Sequence, residues 1–318
     1  MNCNILITSA GKRVALVKIF KEALGKYFPE AKVYTTELNP GMSPAGYVSD
    51  GCFAVSRVTA SSYIDELLRI CLDNQVGMIV PTIDTELLVL ARSKSYFVEY
   101  GINVIVPNQD FVIACRDKRN TAELFESHSI RVPAPIDVNN PTFPIFAKPY
   151  DGSLSKDLYY IKDIDALTAD ILNNPKLIFM EYVDKSVYKE FTVDMYYGKD
   201  NQVKSIVPRE RIEIRAGEIN KGVTRKNAIV DYLKDRLHYL PDVIGCICVQ
   251  LFYRETDGDT IGIEINPRFG GGYPLTCAAG ANYPEYLVKE YLCDQELCYD
   301  DGWCDGKLML RYDDAVFV

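Results

Sequence analysis

Apolar positions in the first hundred residues follow two alternating rhythms. Asn4-Ile-Leu-Ile-Thr8, Ala31-Lys-Val-Tyr-Thr-Thr36, Val76-Gly-Met-Ile-Val80 and Ile102-Asn-Val-Ile-Val106 are short apolar runs that predict strands. Helical spacing falls between them. Leu16, Val17, Phe20 and Leu24 share one helix face, and Ile64, Leu67, Leu68 and Cys71 share another. Ser62 is the expected N-cap of the second helix, with Asp65 three residues later. Strands alternating with helices predict an α/β unit built on a parallel sheet with right-handed crossovers. A helix is expected over 111–127, after Pro107-Asn-Gln-Asp110. Pro133-Ala-Pro135 and Asn139-Asn-Pro-Thr-Phe-Pro144 then punctuate a boundary.

One later stretch carries chemistry in its alternation. In Ile261-Gly-Ile-Glu-Ile-Asn-Pro-Arg-Phe-Gly-Gly-Gly272 the isoleucines point one way, and Glu264 and Asn266 point the other. The two polar groups then lie roughly 7 Å apart along a strand. A carboxylate and an amide on one face offer the hard oxygen ligands that magnesium takes. Ile247-Cys-Val-Gln-Leu-Phe-Tyr253 reads as the neighbouring strand, so Gln250 adds a third oxygen. Arg268 sits at the strand end, where its planar fork suits phosphate or carboxylate.

Two further stretches point to anions. In Ile145-Phe-Ala-Lys-Pro-Tyr-Asp-Gly-Ser-Leu-Ser-Lys156 a strand delivers Lys148 to a Gly/Ser loop, whose backbone N–H groups can wrap phosphate. In Val207-Pro-Arg-Glu-Arg-Ile-Glu-Ile-Arg215 the residues Arg209, Arg211, Glu213 and Arg215 share a strand face, which suits an anionic acceptor or, equally, cross-strand ion pairs. The N-terminal turn Ser9-Ala-Gly-Lys-Arg13 holds one glycine where a dinucleotide fingerprint needs three. A helix N-terminus that attracts an anion through Lys12 and Arg13 is the alternative there. Thr82, Asp84 and Glu86 follow a strand at its carboxyl end, the usual ligand edge of open α/β sheets.

Composition narrows the function classes. The chain has 318 residues, enough for two or three subdomains. A net charge of −9 and a pI of about 5.0 argue against nucleic acid or anionic membrane as the main partner. No apolar run is long enough to span a bilayer, and the N-terminus lacks the pattern of a signal peptide, so a cytoplasmic location is expected. The ten cysteines are scattered, several in apolar runs, as reduced thiols are. Cys293, Cys298 and Cys304 lack the paired spacing of a zinc site. With only His128 and His238 present, histidine chemistry is not expected.

Gln250, then Glu264 fourteen residues on, then Asn266-Pro-Arg-Phe-Gly-Gly-Gly272, resembles the metal-binding end of an ATP-grasp domain. The likeness is to the synthetase halves of the carbamoyl-phosphate synthase large chain. It implies a Rossmann-like pre-ATP-grasp subdomain over 1–112 and an ATP-grasp domain over 113–318, with a lid at about 141–183. It also implies ATP and Mg²⁺ (or Mn²⁺) as cofactors, with Gln250, Glu264 and Asn266 as metal ligands. Lys118, Lys148, Gly152 and Ser155 would meet the phosphates, and Arg268 with Lys148 would serve the transfer. Glu181, Tyr182 and Val183 match the adenine hinge, and Glu190 matches the ribose carboxylate. Leu154 and Asp157 stand where the family's phosphate loop usually has glycines. The implied activity is ADP-forming ligation of a carboxylate to an amine or ammonia through an acyl phosphate. The partners expected are those small molecules, with no nucleic acid, no membrane and a homodimer as the assembly to test. The rival is a nucleotide-binding regulatory or partner subunit without turnover, favoured by Leu154 and Asp157.

Overall fold

The structure, a computed structural model, describes residues 2–152, 157–215 and 217–318. Its first sheet holds β1 (Asn4–Thr8), β2 (Val33–Glu37), β3 (Cys52–Ala54), β4 (Val76–Pro81) and β5 (Asn103–Val104). The strands are parallel, in the order β3-β2-β1-β4-β5. The period of two explains why both faces are covered. Ile5, Ile7, Met78 and Val80 face a core that includes Leu16, Val17, Phe20 and Leu24 of the helix Val14–Tyr27. Leu6 and Ile79 face the opposite way, against Leu67, Leu68 and Cys71 of the helix Tyr63–Asp73.

Two antiparallel sheets follow. The smaller, in the order β7-β6-β8, combines β6 (Ile145–Pro149), β7 (Tyr159–Ile161) and β8 (Leu177–Glu181) around Ile145, Ala147 and Ile161. The larger runs β13-β12-β9-β10-β11-β14. Its strands are β9 (Lys189–Tyr197), β10 (Val203–Arg215), β11 (Glu218–Thr224), β12 (Gly245–Tyr253), β13 (Thr260–Asn266) and β14 (Leu308–Leu310). The helix Ile229–Leu237 covers one side of this sheet through Ile229, Leu233 and Leu237. The mixed α/β class expected from the sequence is the class observed.

Local departures have local causes. The helix expected over 111–127 is two helices, Gln109–Arg116 and Lys118–Ser127. Asp117 is extended between them, and its carboxylate accepts from the Arg119 N–H at 2.9 Å, restarting the helix at Lys118. Ser62 is already helical and makes no cap bond. The neighbouring carboxylate of Glu66 accepts from the N–H and hydroxyl of Ser56. The helix Lys118–Ser127 packs on β13 where Gly262 leaves room. A Cβ there would stand 2.7 Å from the Phe125 ring. That close approach sets the height of Lys118 over the polar face of β13.

Candidate active site

The carboxyl edge of the parallel sheet, the small sheet and the β12–β13 edge border one cavity of about 1440 Å³. At its centre Gln250 and Glu264 are directly paired across β12 and β13. Glu264 Oε1 accepts from Gln250 Nε2 at 2.8 Å and from Asn266 Nδ2 at 3.1 Å. Glu264 Oε2 stands 3.9 Å from Lys118 Nζ. Lys118 also donates to the Gly152 carbonyl at 2.6 Å, which ties the start of the second helix to the loop after β6.

Lys148 enters the same cavity from β6. It is 7% exposed and has no carboxylate within ion-pair distance among the described residues. Burial pushes its ammonium down to about 8, partly opposed by Glu264 and assisted by the charge of Lys118. Ser155 lies outside the described residues. Asp157, at the far end of that loop, has a φ of 54°.

The remaining expected residues line the cavity, and the two carboxylates among them already hold partners. Glu181 accepts from Arg131 at 2.7 Å. Tyr182 meets Tyr160 edge-on at 4.8 Å between centroids. The backbone groups of Tyr182 and Val183 form no hydrogen bond among the described residues, and both residues border the cavity. Glu190 is paired with Lys185 and with Arg211, each at 3.1 Å.

The glycine turn is shaped by what lies beneath it. A Cβ at Gly271 would collide with the Glu218 carboxylate, and one at Gly272 with the Arg209 guanidinium. Arg209 is fully buried and pairs with Asp194 at 2.8 Å. Asp194 also accepts from Thr276 and from the Cys248 thiol. Asp194, Cys246 and Cys248 stand close enough to share an ion, but Arg209 already supplies the cation there.

The structure changes the sequence reading in three places. Arg268 does not present a free fork. Its Nε and Nη2 donate to the two oxygens of Asp84, each at 2.8 Å, across 184 positions of the chain. The Gly11 N–H, in the turn before the helix Val14–Tyr27, is taken by the Glu37 carboxylate, so no added anion reaches that N–H. The basic face of β10 is divided. Arg209 and Arg211 turn inward to Asp194 and Glu190, while Arg215 is exposed and pairs with Asp313. Of Thr82, Asp84 and Glu86, the first two border the cavity and Asp84 holds Arg268 there. Glu86 is buried, accepting from the Thr82 N–H and the Tyr63 hydroxyl. Neither histidine borders the cavity.

Residues 5–105 match the family model described as PylC-like, N-terminal domain. Residues 173–300 match the model described as ATP-grasp in the biosynthetic pathway with Ter operon. No curated protein matches the chain in sequence. Among solved structures, the chain is similar to the biotin carboxylase domain of the 2-oxoglutarate carboxylase of Hydrogenobacter thermophilus, a dimer in complex with MgADP, ADP and bicarbonate. That match has 13% identity, covers 95% of this chain and 72% of that one, and has a TM-score of 0.72. N5-carboxyaminoimidazole synthetase from Staphylococcus aureus, complexed with ADP, matches at 16% identity over 96% of this chain and 79% of that one, with a TM-score of 0.70. An L-amino acid ligase from Bacillus licheniformis matches at 17% identity over 91% and 74%, with a TM-score of 0.66. The fold of the chain is therefore the ATP-grasp fold behind a parallel α/β unit. No helix of the described residues is long and apolar enough to cross a membrane.

Proposed function

We propose that the chain is an ADP-forming, ATP- and Mg²⁺-dependent ligase that joins a carboxylate to an amine or ammonia through an acyl phosphate. The observation that carries this reading is the Glu264 carboxylate, held by two amides and faced by lysines from two different elements. The donor set fits a hard divalent cation, being one carboxylate and two amides that line the cleft. Glu264, Gln250 and Asn266 would hold that ion, which when bound neutralises phosphate charge. The ADP-bearing structural neighbours support a nucleotide in the same cleft.

In this reading Lys148 and Lys118 hold phosphate oxygens, with Gly152 and Ser155 on the covering loop. The unpaired backbone edge at Tyr182 and Val183, beside Glu181, receives the adenine, and Glu190 the ribose. The acceptor carboxylate oxygen attacks the γ-phosphorus, and the bond to the ADP oxygen breaks. The amine nitrogen then attacks the acyl carbon, phosphate leaves with the C–O electron pair, and the nitrogen loses a proton. Arg268, oriented by Asp84, steadies the transferred group. The division at residue 112, with the lid at 141–183, belongs to the same reading. So does the finer likeness to a synthetase half of carbamoyl-phosphate synthase, which rests on the Gln250, Glu264 and Asn266 spacing.

Chromatography of the nucleotides tests the proposal. With ATP, Mg²⁺, a carboxylate library and ammonium, ADP is the expected product. AMP with pyrophosphate would mean adenylation and would sink it. Bound Mg·ATP with no turnover across the library would favour the regulatory reading.

Lys148 sets an expected pH dependence. Phosphate binding favours the charged ammonium, and the free protein loses that charge as pH rises through about 8. Mg·ATP affinity should therefore fall between about pH 7 and pH 9.5, and Lys148→Arg should flatten the fall, since a guanidinium stays charged throughout. Calorimetric titration across that range checks it, and a flat wild-type profile would count against Lys148 as a phosphate ligand.

A further inference from the structure

The cavity is larger than one nucleotide needs. Pockets for single small ligands run to roughly 300–1,000 Å³, and this one is about 1440 Å³. Beyond Arg268 and Asp84 it continues over the carboxyl edge of the parallel sheet. The wall there carries apolar side chains the ligase chemistry has not used, interspersed with Ser56, Arg57 and Thr59. Leu38, Ile83 and Ile113 are 57%, 38% and 39% exposed in that wall, beside half-buried Val55, Val58 and Leu88. Val55, Val58 and Leu88 lean on the core below, so the wall is a fixed shelf. Several large apolar side chains open to one cleft are a usual sign of a ligand surface.

Arg13 marks the inner end of this shelf. It borders the cavity, yet among the described residues its Nη1 is buried without a hydrogen-bond partner, and the one bond of its side chain is a long 3.5 Å contact from Nη2 to the Thr82 carbonyl. No carboxylate lies within ion-pair distance of it among the described residues. The acids nearby are committed elsewhere: Asp84 to Arg268, Glu218 to Arg311 at 2.8 Å, and Glu37 to the Gly11 N–H. Burial, and after it the charge of Arg268, holds the Arg13 guanidinium below its ordinary range. A buried cation beside a second cation, with an unused donor, is a costly arrangement unless an anion completes it.

Resting on the ligase reading, we infer that the acceptor is an organic carboxylic acid with an apolar body. Its carboxylate sits between Arg13 and Arg268, and its body lies on the Leu38–Val55–Val58–Ile83–Leu88–Ile113 shelf. Bicarbonate would leave that shelf bare. Arg13 is then a specificity-determining residue for the acceptor and has no contact with the nucleotide.

Hydroxylamine, standing in for the amine, tests this without knowledge of the second substrate, because it converts an acyl phosphate to a hydroxamate with release of phosphate. The probes are acetate, hexanoate, 3-phenylpropionate, L-phenylalanine and bicarbonate, each with Mg·ATP. At least one acid with an apolar body should give a kcat/KM for hydroxamate at least about tenfold above acetate, in line with a few buried methylenes. Arg13→Met should raise the KM for that acid at least tenfold while the KM for ATP stays within about twofold, and Arg13→Lys should recover part of the loss. Leu38→Asp, at the most exposed side chain of the shelf, should lower the ratio of apolar acid to acetate and keeps the test sound if Arg13→Met does not fold. Equal use of acetate and the larger acids, ADP release driven by bicarbonate alone, or an unchanged acceptor KM in Arg13→Met would each overturn the inference. Failure to bind Mg·ATP, or bound Mg·ATP with no hydroxamate from any acid, is the different result that removes the ligase reading beneath it.

Discussion

Replacing Glu264 with alanine is expected to slow ADP formation at least about a hundredfold, the size seen when one preorganised electrostatic group is removed from a site of charge transfer. Glu264 is the sole carboxylate of the donor set with Gln250 and Asn266, and both amides spend a hydrogen bond on it. Its loss removes the anion that would hold a divalent cation and leaves the lysines without their counter-charge. The fold should survive, because Glu264 is partly open to the cleft and water can take up the two amide donors. Glu264→Gln is the sharper variant, since it keeps the shape and an acceptor oxygen but not the charge. Steady-state ADP release at several Mg²⁺ concentrations, beside thermal unfolding of the same samples, separates the two effects. Wild-type turnover with unchanged Mg²⁺ dependence in either variant would remove Glu264 from the site.

Arg209→Leu should destabilise the protein by about 3–5 kcal/mol, the cost of leaving one member of a buried ion pair uncompensated. Arg209 and Asp194 are both fully buried, 2.8 Å apart, between the central strands and the glycine turn. Thr276 and Cys248 also donate to Asp194, so the carboxylate keeps hydrogen bonds but loses its countercharge. Among the described residues the Arg209 Nε and Nη1 have no hydrogen-bond partners of their own, which limits what the pair adds over an apolar core. Removing both charges in Arg209→Leu/Asp194→Leu should therefore cost much less than the sum of the single changes. Urea unfolding of the four proteins gives the cycle. Additive losses, or a single-variant cost below about 1 kcal/mol, would show that the pair is not coupled in this way.

How legible the site is depends on the reach of each signal. The alternation in β13 is a local property of a strand, and it is enough to put Glu264 and Asn266 on one face. The apolar runs of β1 and β4 and the helix faces at Leu16–Leu24 and Leu67–Cys71 are readable for the same reason. The chain pattern puts Gln250 on a neighbouring strand, and its direct register with Glu264 is what the antiparallel β12–β13 pair adds. The break at Asp117 is hidden in the sequence, because a single capping carboxylate interrupts a continuous helical pattern.

The sequence by itself determined which residues share a face where the strand or helix is regular, as with Glu264 and Asn266 of β13, since a period of two or of 3.6 is written into the chain. Only the tertiary structure decided what those residues meet. Arg268 reads as a free fork in the chain, but Asp84, 184 positions away, occupies it. Arg13 reads as part of a helix start, but Glu37 takes the turn's N–H and leaves the guanidinium in the cavity. Glu190 gains Arg211, and Arg209 is lost to the core with Asp194. For Arg268, Glu190 and Arg209 the physical reason is the same. A charge is drawn to whichever opposite charge the packed elements bring within a few ångströms once water is excluded, and that distance depends on how remote segments fold together.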